Sequence, residues 1–186
     1  MSGLQFKGHF SRIASQYAEF RPRYPQALFD YLADVAPSRT LVWDCACGSG
    51  QATLDLAERF ASVMATDASA QQIEAAPVHP RITWSVARAE SSGLPPGSVD
   101  LITVAQAAHW FDLDAFYAEA RRVLRPKGVL ALWTYGVHIF HDAAIDALAH
   151  ELYEKTVGPY WPPERKHCED GYRSLPFAFP EIVPPA

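Results

Sequence analysis

The chain has 186 residues, of which 49% are hydrophobic, and its formal net charge is −5. This length suits one folded domain with a single core, and the hydrophobic content excludes a disordered chain. The acidic balance argues against a nucleic-acid partner, because nucleic-acid-binding proteins usually carry a basic face.

Apolar runs and turn residues predict helices and strands that alternate along the chain. A helix is expected to begin near Pro25, with Leu28, Phe29 and Leu32 on one face. Strands are expected from Leu41 up to Asp44 and over residues 63–66, 82–87, 99–105 and 129–133. Helical patterns between most of these strands indicate an α/β protein with a parallel sheet.

Three of the predicted helices can be described in more detail. The string Ser69-Ala-Gln-Gln72 is typical of a capping box that opens a short helix. Asp112 is expected to cap a helix whose apolar positions follow helical spacing. A further helix after residue 138 is expected to bury Ile145, Leu148 and Leu152.

The segment Asp44-Cys-Ala-Cys-Gly-Ser-Gly50 is the most informative part of the chain. It joins the first predicted strand to a helix-compatible stretch, and a second strand then ends on Asp67, 17 positions after Gly50. Such a strand–turn–helix–strand–acid unit holds a nucleoside, since small residues let the backbone approach the ligand. The acid at the tip of the second strand can accept both ribose hydroxyls.

The glycine pattern helps to decide whether the nucleoside belongs to a dinucleotide such as NAD or to another ligand. A dinucleotide fingerprint is Gly-x-Gly-x-x-Gly, whereas here Gly48 and Gly50 are followed by Thr53. Asp44 also stands where NAD-binding proteins usually have an apolar residue. The run instead resembles the first motif of class I S-adenosylmethionine-dependent methyltransferases, Asp/Glu-x-Gly-x-Gly-x-Gly, with Ala46 in place of the first glycine.

Other segments extend this resemblance over most of the chain. They are Tyr17-Ala-Glu-Phe-Arg-Pro-Arg-Tyr-Pro25, the stretch from Ala89-Glu90 to Asp100, Val104-Ala-Gln-Ala-Ala-His-Trp-Phe111 and Glu119-Ala-Arg-Arg-Val-Leu-Arg-Pro-Lys-Gly128. Together they are similar to the small-molecule methyltransferases related to trans-aconitate methyltransferase.

This resemblance implies a fold, a cofactor and a domain layout. The expected fold is α/β, a doubly wound and mostly parallel Rossmann-like sheet, with the C-terminal antiparallel strands of relatives missing or shortened. The expected cofactor is S-adenosylmethionine, with S-adenosylhomocysteine as its product. One domain is expected over residues 1–186: an N-terminal helical cap (1–37), a cofactor-binding core (38–137) and a partial C-terminal substrate cap (138–186).

The resemblance also implies which residues form the site. Asp44 would face the cofactor's ammonium group, Arg21 its carboxylate and Asp67 its ribose. The expected cofactor-binding residues are Tyr17, Arg21, Asp44, Ala46, Gly48, Gly50, Asp67, Ala68, Ala89, Glu90, Ala105 and Gln106. The expected acceptor-binding residues are Tyr24, His109, Trp110 and Trp161. His109 is also the candidate catalytic base, although a lone histidine beside a tryptophan is often only hydrogen-bonded packing.

The predicted function is methyl transfer to a small-molecule acceptor, for which the resemblance suggests a carboxylic acid. The alternatives are a non-catalytic S-adenosylmethionine-binding module and, more distantly, an NAD-dependent oxidoreductase. Three cysteines without metal spacing and no apolar N-terminal segment favour a cytoplasmic protein with no metal site. The apolar runs are too short for a membrane partner. An exposed sheet edge would allow a homodimer.

Overall fold

The structure, a computed structural model, describes residues 24–136 and 139–182. Up to Trp133 the chain alternates helices and strands. Its first half contains α1 (Gln26–Val35), β1 (Leu41–Cys45), α2 (Thr53–Ala57), β2 (Ser62–Asp67) and α3 (Ala70–Glu74). These are followed by β3 (Ile82–Val86), β4 (Val99–Ala105), a 3-10 turn (Ala108–Trp110), α4 (Leu113–Val123) and β5 (Leu124–Trp133). Then follow α5 (Ala143–Glu151), a π turn (Leu152–Val157), two 3-10 turns (Gly158–Tyr160 and Pro163–Arg165) and α6 (Lys166–Glu169).

The five strands form one sheet in the order β3-β2-β1-β4-β5. The pairs β1–β2, β1–β4 and β2–β3 are parallel, which confirms the predicted doubly wound Rossmann-like fold. Within the described residues no strand follows β5, so the expected C-terminal antiparallel strands are missing from this part and β5 lies at a sheet edge. The strand order reverses between β1 and β4, and ligands of such sheets bind in the crevice at that point.

The central strands form the core because helices cover both faces of a parallel sheet. All seven residues of β4 except the last are buried, and so are the last four residues of β1. Helix α1 contributes Phe29 and Leu32 to this core, and α4 contributes Phe116, Ala120 and Val123. The apolar faces predicted for these two helices therefore pack as expected.

Two local predictions need correction and one is confirmed. Strand β5 begins at Leu124 rather than Val129, because an edge strand tolerates a proline such as Pro126 within its extended backbone. The hydroxyl of Ser69 forms no capping bond, since it lies 3.0 Å from Oε1 of Gln71 instead. Asp112 does cap α4, and its Oδ1 accepts a hydrogen bond from the N–H of Ala115 at 3.2 Å.

The chain divides into two compact units, one up to Leu132 and one from Trp133. In the second unit α5 has no buried residue. Ile145, Leu148 and Leu152 are 51%, 68% and 56% exposed, so the expectation that they are buried is wrong. Helical spacing predicts that such residues share a face, but it cannot supply a partner for that face. No helix in the described ranges has the length and apolar character needed to span a membrane.

Candidate functional site

A cleft opens where the strand order of the sheet reverses. It is lined by residues from the carboxyl ends of β1 and β4, from the turn after β1 and from the segment before α1: Tyr24, Asp44, Ala46, Cys47, Gln51, Ala52 and Ala105. The structure thus brings together three predicted cofactor residues, Asp44, Ala46 and Ala105. Tyr24, which was predicted to bind the acceptor, lines the same cleft, with its ring 6.4 Å from that of Phe29.

The turn after β1 needs a backbone conformation that favours glycine. Ala46, Gly48 and Gly50 all have positive φ, at 55°, 56° and 101°. A Cβ added to Gly48 would make only an ordinary contact, with Oε1 of Gln72 at 3.9 Å, so no protein atom crowds this position. A Cβ on Gly50 would instead overlap with the ring of Trp84 on β3. Gly48 is therefore required by its backbone conformation alone, whereas Gly50 also packs the turn against the sheet.

Asp44 is a buried carboxylate with two hydroxyl donors. Thr53 donates to its Oδ2 at 2.6 Å, and Thr103 donates to its Oδ1 at 2.8 Å. Burial raises the pKa of Asp44 from 3.8 to about 6, although both threonine hydrogen bonds lower it. At neutral pH the carboxylate is therefore ionised, and it gives the cleft a negative charge.

Asp67 lies at the tip of β2, where the sequence places the ribose acceptor. Its Oδ2 accepts from the N–H of Gly48 at 2.9 Å and its Oδ1 from the N–H of Ser69 at 2.8 Å. Burial raises its pKa, whereas these two backbone bonds lower it. A carboxylate can accept about four hydrogen bonds, so Asp67 holds the turn and still has room for a diol. Ala68 follows it and is half-buried.

Two cysteines belong to the same turn and neither forms a disulfide. Burial raises the pKa of both Cys45 and Cys47, and the neighbouring Asp44 carboxylate adds to this effect. Both thiols therefore remain protonated at neutral pH. In the part of the chain that the structure describes, no group of three or more His, Cys, Asp or Glu residues could hold a metal ion.

The loops after β3 and β4 contain further predicted residues. Ala89 is buried, while Oε1 of Glu90 accepts from the N–H of Asp112 at 3.1 Å and Oε2 pairs with Nε of Arg88 at 3.1 Å. The Glu90 carboxylate therefore ties the loop after β3 to the start of α4. Gln106 follows Ala105 of the cleft and has a positive φ of 60°.

The predicted acceptor residues lie in two separate parts of the molecule. His109 and Trp110 belong to the 3-10 turn after β4, and their ring centroids are 4.6 Å apart. Trp161 belongs to the second unit, where it packs against Tyr153 with ring centroids 5.5 Å apart and lies under the Arg165 guanidinium.

Two predicted cofactor residues, Tyr17 and Arg21, lie outside the described residues. The structure in turn places residues near the cleft that the sequence did not indicate, namely Gln51 and the two threonines that bind Asp44. Thr53 did have a signal, because it occupies the third glycine position of the dinucleotide pattern.

Comparisons with known proteins agree with this geometry. Residues 43–132 match the family described as "Methyltransferase domain". A methyltransferase-type protein of Dictyostelium discoideum is 40% identical over 178 residues, which are 94% of this chain and 68% of that protein. A malonyl-[acyl-carrier protein] O-methyltransferase of Dechloromonas aromatica is 33% identical over 81% of this chain and 60% of its own length.

Among solved structures, a protein of Anaeromyxobacter dehalogenans described as a type II methyltransferase has a TM-score of 0.82 and 55% identity. The match covers 89% of this chain and 70% of that one. The chain spans half the length of similar Mycobacterium tuberculosis proteins. A doubly wound parallel sheet with a cleft at its switch point defines a Rossmann-like domain. The chain belongs to the class I S-adenosylmethionine-dependent methyltransferases, and S-adenosylmethionine is its cofactor.

The residues of the cleft fit this cofactor. The cofactor is cationic, and the cleft contains the ionised Asp44. No protein atom crowds the Cβ position of Gly48, and Asp67, which is bonded to the same turn, retains acceptor capacity for a ribose. The family membership also rules out the NAD-dependent oxidoreductase alternative.

Proposed function

We propose that this chain transfers a methyl group to a small-molecule acceptor, and that the acceptor is a carboxylic acid converted to its methyl ester. The observation that carries the proposal is that Asp44, Ala46 and Ala105 line the same cleft at the switch point of the sheet. When bound, S-adenosylmethionine supplies a methyl group on a positively charged sulfur, open to in-line displacement by a nucleophile.

In this proposal the residues of the first unit bind and orient the cofactor. Asp44 accepts from the ammonium group, together with the backbone carbonyls of Ala46 and Ala105, and Asp67 accepts from the ribose. The loops containing Ala68, Ala89, Glu90 and Gln106 border the adenine, and the turn of Gly48 and Gly50 lies against the cofactor. Arg21 and Tyr17, from the N-terminal segment, bind its carboxylate and close over it.

The protonated thiol of Cys47 supports selective transfer. A thiolate in the cleft would compete with the acceptor as a nucleophile. Burial and the negative charge of Asp44 raise the pKa of this thiol, so it stays in its weakly nucleophilic form. The cleft can therefore hold an activated methyl group beside a cysteine.

The carboxylic-acid acceptor is supported by chemistry and by one relative. A carboxylate is already ionised at neutral pH, because its reference pKa is about 4, and it needs no general base. A relative from Dechloromonas aromatica is named as an O-methyltransferase for a malonyl acceptor. Tyr24 and Trp110 then serve as walls of the acceptor site. His109 donates a hydrogen bond to the acceptor, or acts as the base if the acceptor is a hydroxyl or an amine.

The proposed partners are a small molecule and a second copy of the chain, rather than nucleic acid or a membrane. The net charge of −5 supports the exclusion of nucleic acid. The sheet ends in two edge strands, β3 and β5, either of which could pair with a second copy in a homodimer. Unpaired thiols at Cys45 and Cys47 support a cytoplasmic location.

The test is a screen of small acids, phenols and amines with methyl-labelled cofactor, followed by kinetics of the His109→Asn variant. With a carboxylic acid we expect the variant mainly to raise KM, and we expect kcat to be flat between about pH 6 and pH 8, the window in which histidine titrates. Labelling of amines or phenols alone would contradict the proposal of a carboxylic-acid acceptor. If the rate with such an acceptor also falls by about 10²–10⁴-fold in the variant, His109 is the general base.

A second candidate function is cofactor binding without turnover. The exposed apolar residues of α5 in the second unit, where a substrate cap was predicted, favour this alternative. Binding of S-adenosylmethionine with no labelled product from any acceptor class would support it.

A further inference from the structure

Asp44 is held from two different elements. Thr103 is its Cα partner on the neighbouring strand β4, and Thr53 is the first residue of α2. Their hydroxyls donate to different oxygens of the carboxylate, at 2.8 Å and 2.6 Å. All three residues are buried, with no more than 1% of their surface exposed. The orientation of the Asp44 carboxylate is therefore fixed by protein hydroxyls and not by bulk water.

We propose that Thr53 and Thr103 are positioning residues of the cofactor site, whose hydroxyls keep the Asp44 carboxylate ionised and turned toward the cleft. This inference rests on the proposed role of Asp44 as the acceptor for the cofactor's ammonium group. Hydrogen bonds donated to a carboxylate favour its charged form, and burial favours its neutral form. The two threonines oppose burial at the one position where the cleft needs a negative charge.

Four other titratable groups adjoin Asp44 or line the same cleft, namely Cys45, Cys47, Asp67 and Tyr24. Asp55 lies on the same helix as Thr53. Asp67 raises the pKa of Asp44 through like charge, whereas the two thiols stay protonated. Asp55 is engaged by Nε2 of Gln26 at 2.7 Å. Among the causes that act on Asp44, only the two threonine hydrogen bonds lower its pKa.

The first experiment measures the titration of Asp44 by carboxyl ¹³C NMR in the protein without cofactor. We expect a pKa of about 6 in the wild type. Thr53→Val and Thr103→Val should each raise it, whereas Thr53→Ser and Thr103→Ser should stay near the wild type because they retain a hydroxyl. Thr66→Val is the matched control, since it removes a buried hydroxyl that accepts from Nε1 of Trp43 and is not among the groups that shift the pKa of Asp44. A valine variant that does not fold is replaced by the alanine variant at the same position.

The second experiment measures Kd for S-adenosylmethionine by calorimetry across the same pH range. Near pH 6 each valine variant should bind more weakly than the wild type by about 10- to 100-fold, as expected from losing a hydrogen bond to a charged group. This ratio should shrink as the pH rises, because the carboxylate ionises even without the hydroxyl. The serine variants should recover wild-type affinity. For Thr66→Val, the ratio of its Kd to that of the wild type should be independent of pH.

The outcomes separate this inference from the proposed function. An Asp44 pKa that is the same in the wild type and the valine variants overturns the inference, and so does an affinity ratio that is constant with pH. If the pKa of Asp44 shifts as expected but the wild-type protein does not bind S-adenosylmethionine at any pH, the hydroxyls control the charge of Asp44. The role of Asp44 in the proposed function then fails.

Discussion

The Asp44 carboxylate, for which we propose a role in cofactor binding, lowers the stability of the folded protein at neutral pH. Its carboxylate is buried, and burial raises its pKa from 3.8 to about 6. The folded protein therefore holds the proton more tightly than the unfolded chain does. The resulting stabilisation is present at low pH and is lost as the pH rises through about 6, because the unfolded carboxyl has already ionised. At neutral pH the protein without cofactor contains an unfavourable buried charge.

Replacing this charge should stabilise the fold and weaken the site. We expect Asp44→Asn to raise the free energy of unfolding at neutral pH by up to about 3 kcal/mol, the value that corresponds to a pKa rise from 3.8 to about 6. The advantage over the wild type should disappear near pH 4. The same variant should lose most of its affinity for the cofactor.

Urea denaturation of both proteins between about pH 4 and pH 8 checks this expectation, since each pKa unit is worth 1.36 kcal/mol. Carboxylates that do not interact with Asp44, such as Glu119, act equally in the two proteins and cancel in the difference. If Asp44→Asn is less stable than the wild type by the same amount at every pH, the linkage argument is wrong.

In the turn between β1 and α2, the residue at position 50 is restricted by a side chain of strand β3. Gly50 has a φ of 101°, and an added Cβ would overlap with the ring of Trp84. That indole is itself fixed, because its Nε1 donates to the carbonyl of Pro77 at 3.0 Å. Gly50 is therefore required both by its backbone conformation and by the packing of β3.

A matched pair of glycines separates these two requirements. Gly97 also has a positive φ, at 60°, but an added Cβ there would meet nothing within 4 Å. We expect Gly97→Ala to cost about 1–2 kcal/mol for the left-handed backbone alone. Gly50→Ala should cost a further ~1–3 kcal/mol for overpacking. Trp84→Leu should recover part of that further cost in a double-mutant cycle followed by urea denaturation. Equal costs at the two glycines would contradict the packing argument.

Structural features that depend on residues close together in the sequence were predictable. Contacts between residues that are distant in the sequence were not. The bounds of β4 and the cap at Asp112 follow from local apolar runs and from helix-start chemistry. The bond between Thr103 and Asp44 joins residues 59 positions apart, and no local pattern marks it. The contact of Trp84 with Gly50 is also tertiary. For Leu148 on α5, helical spacing predicted the face, while the missing cover depends on what else packs nearby.

The two compact units of the chain differ in how well their apolar side chains are buried. The first unit, up to Leu132, contains the sheet, its core and the cleft. The second, from Trp133, leaves large apolar side chains of α5 exposed. The predicted cofactor residues that the structure describes lie in the first unit. Cofactor binding is therefore the property that the described structure supports most directly.

The assignment of the cleft to S-adenosylmethionine is best tested by calorimetric titration with S-adenosylmethionine, S-adenosylhomocysteine and NAD in parallel. We expect saturable binding of the first two ligands and none of NAD, because Asp44 and Thr53 replace features of the dinucleotide fingerprint. Asp67→Ala should weaken the binding of both ligands by about 1–3 kcal/mol, since the ribose loses a charged acceptor. Binding of NAD, or an Asp67→Ala variant with unchanged affinity, would contradict the assignment of this cleft to S-adenosylmethionine.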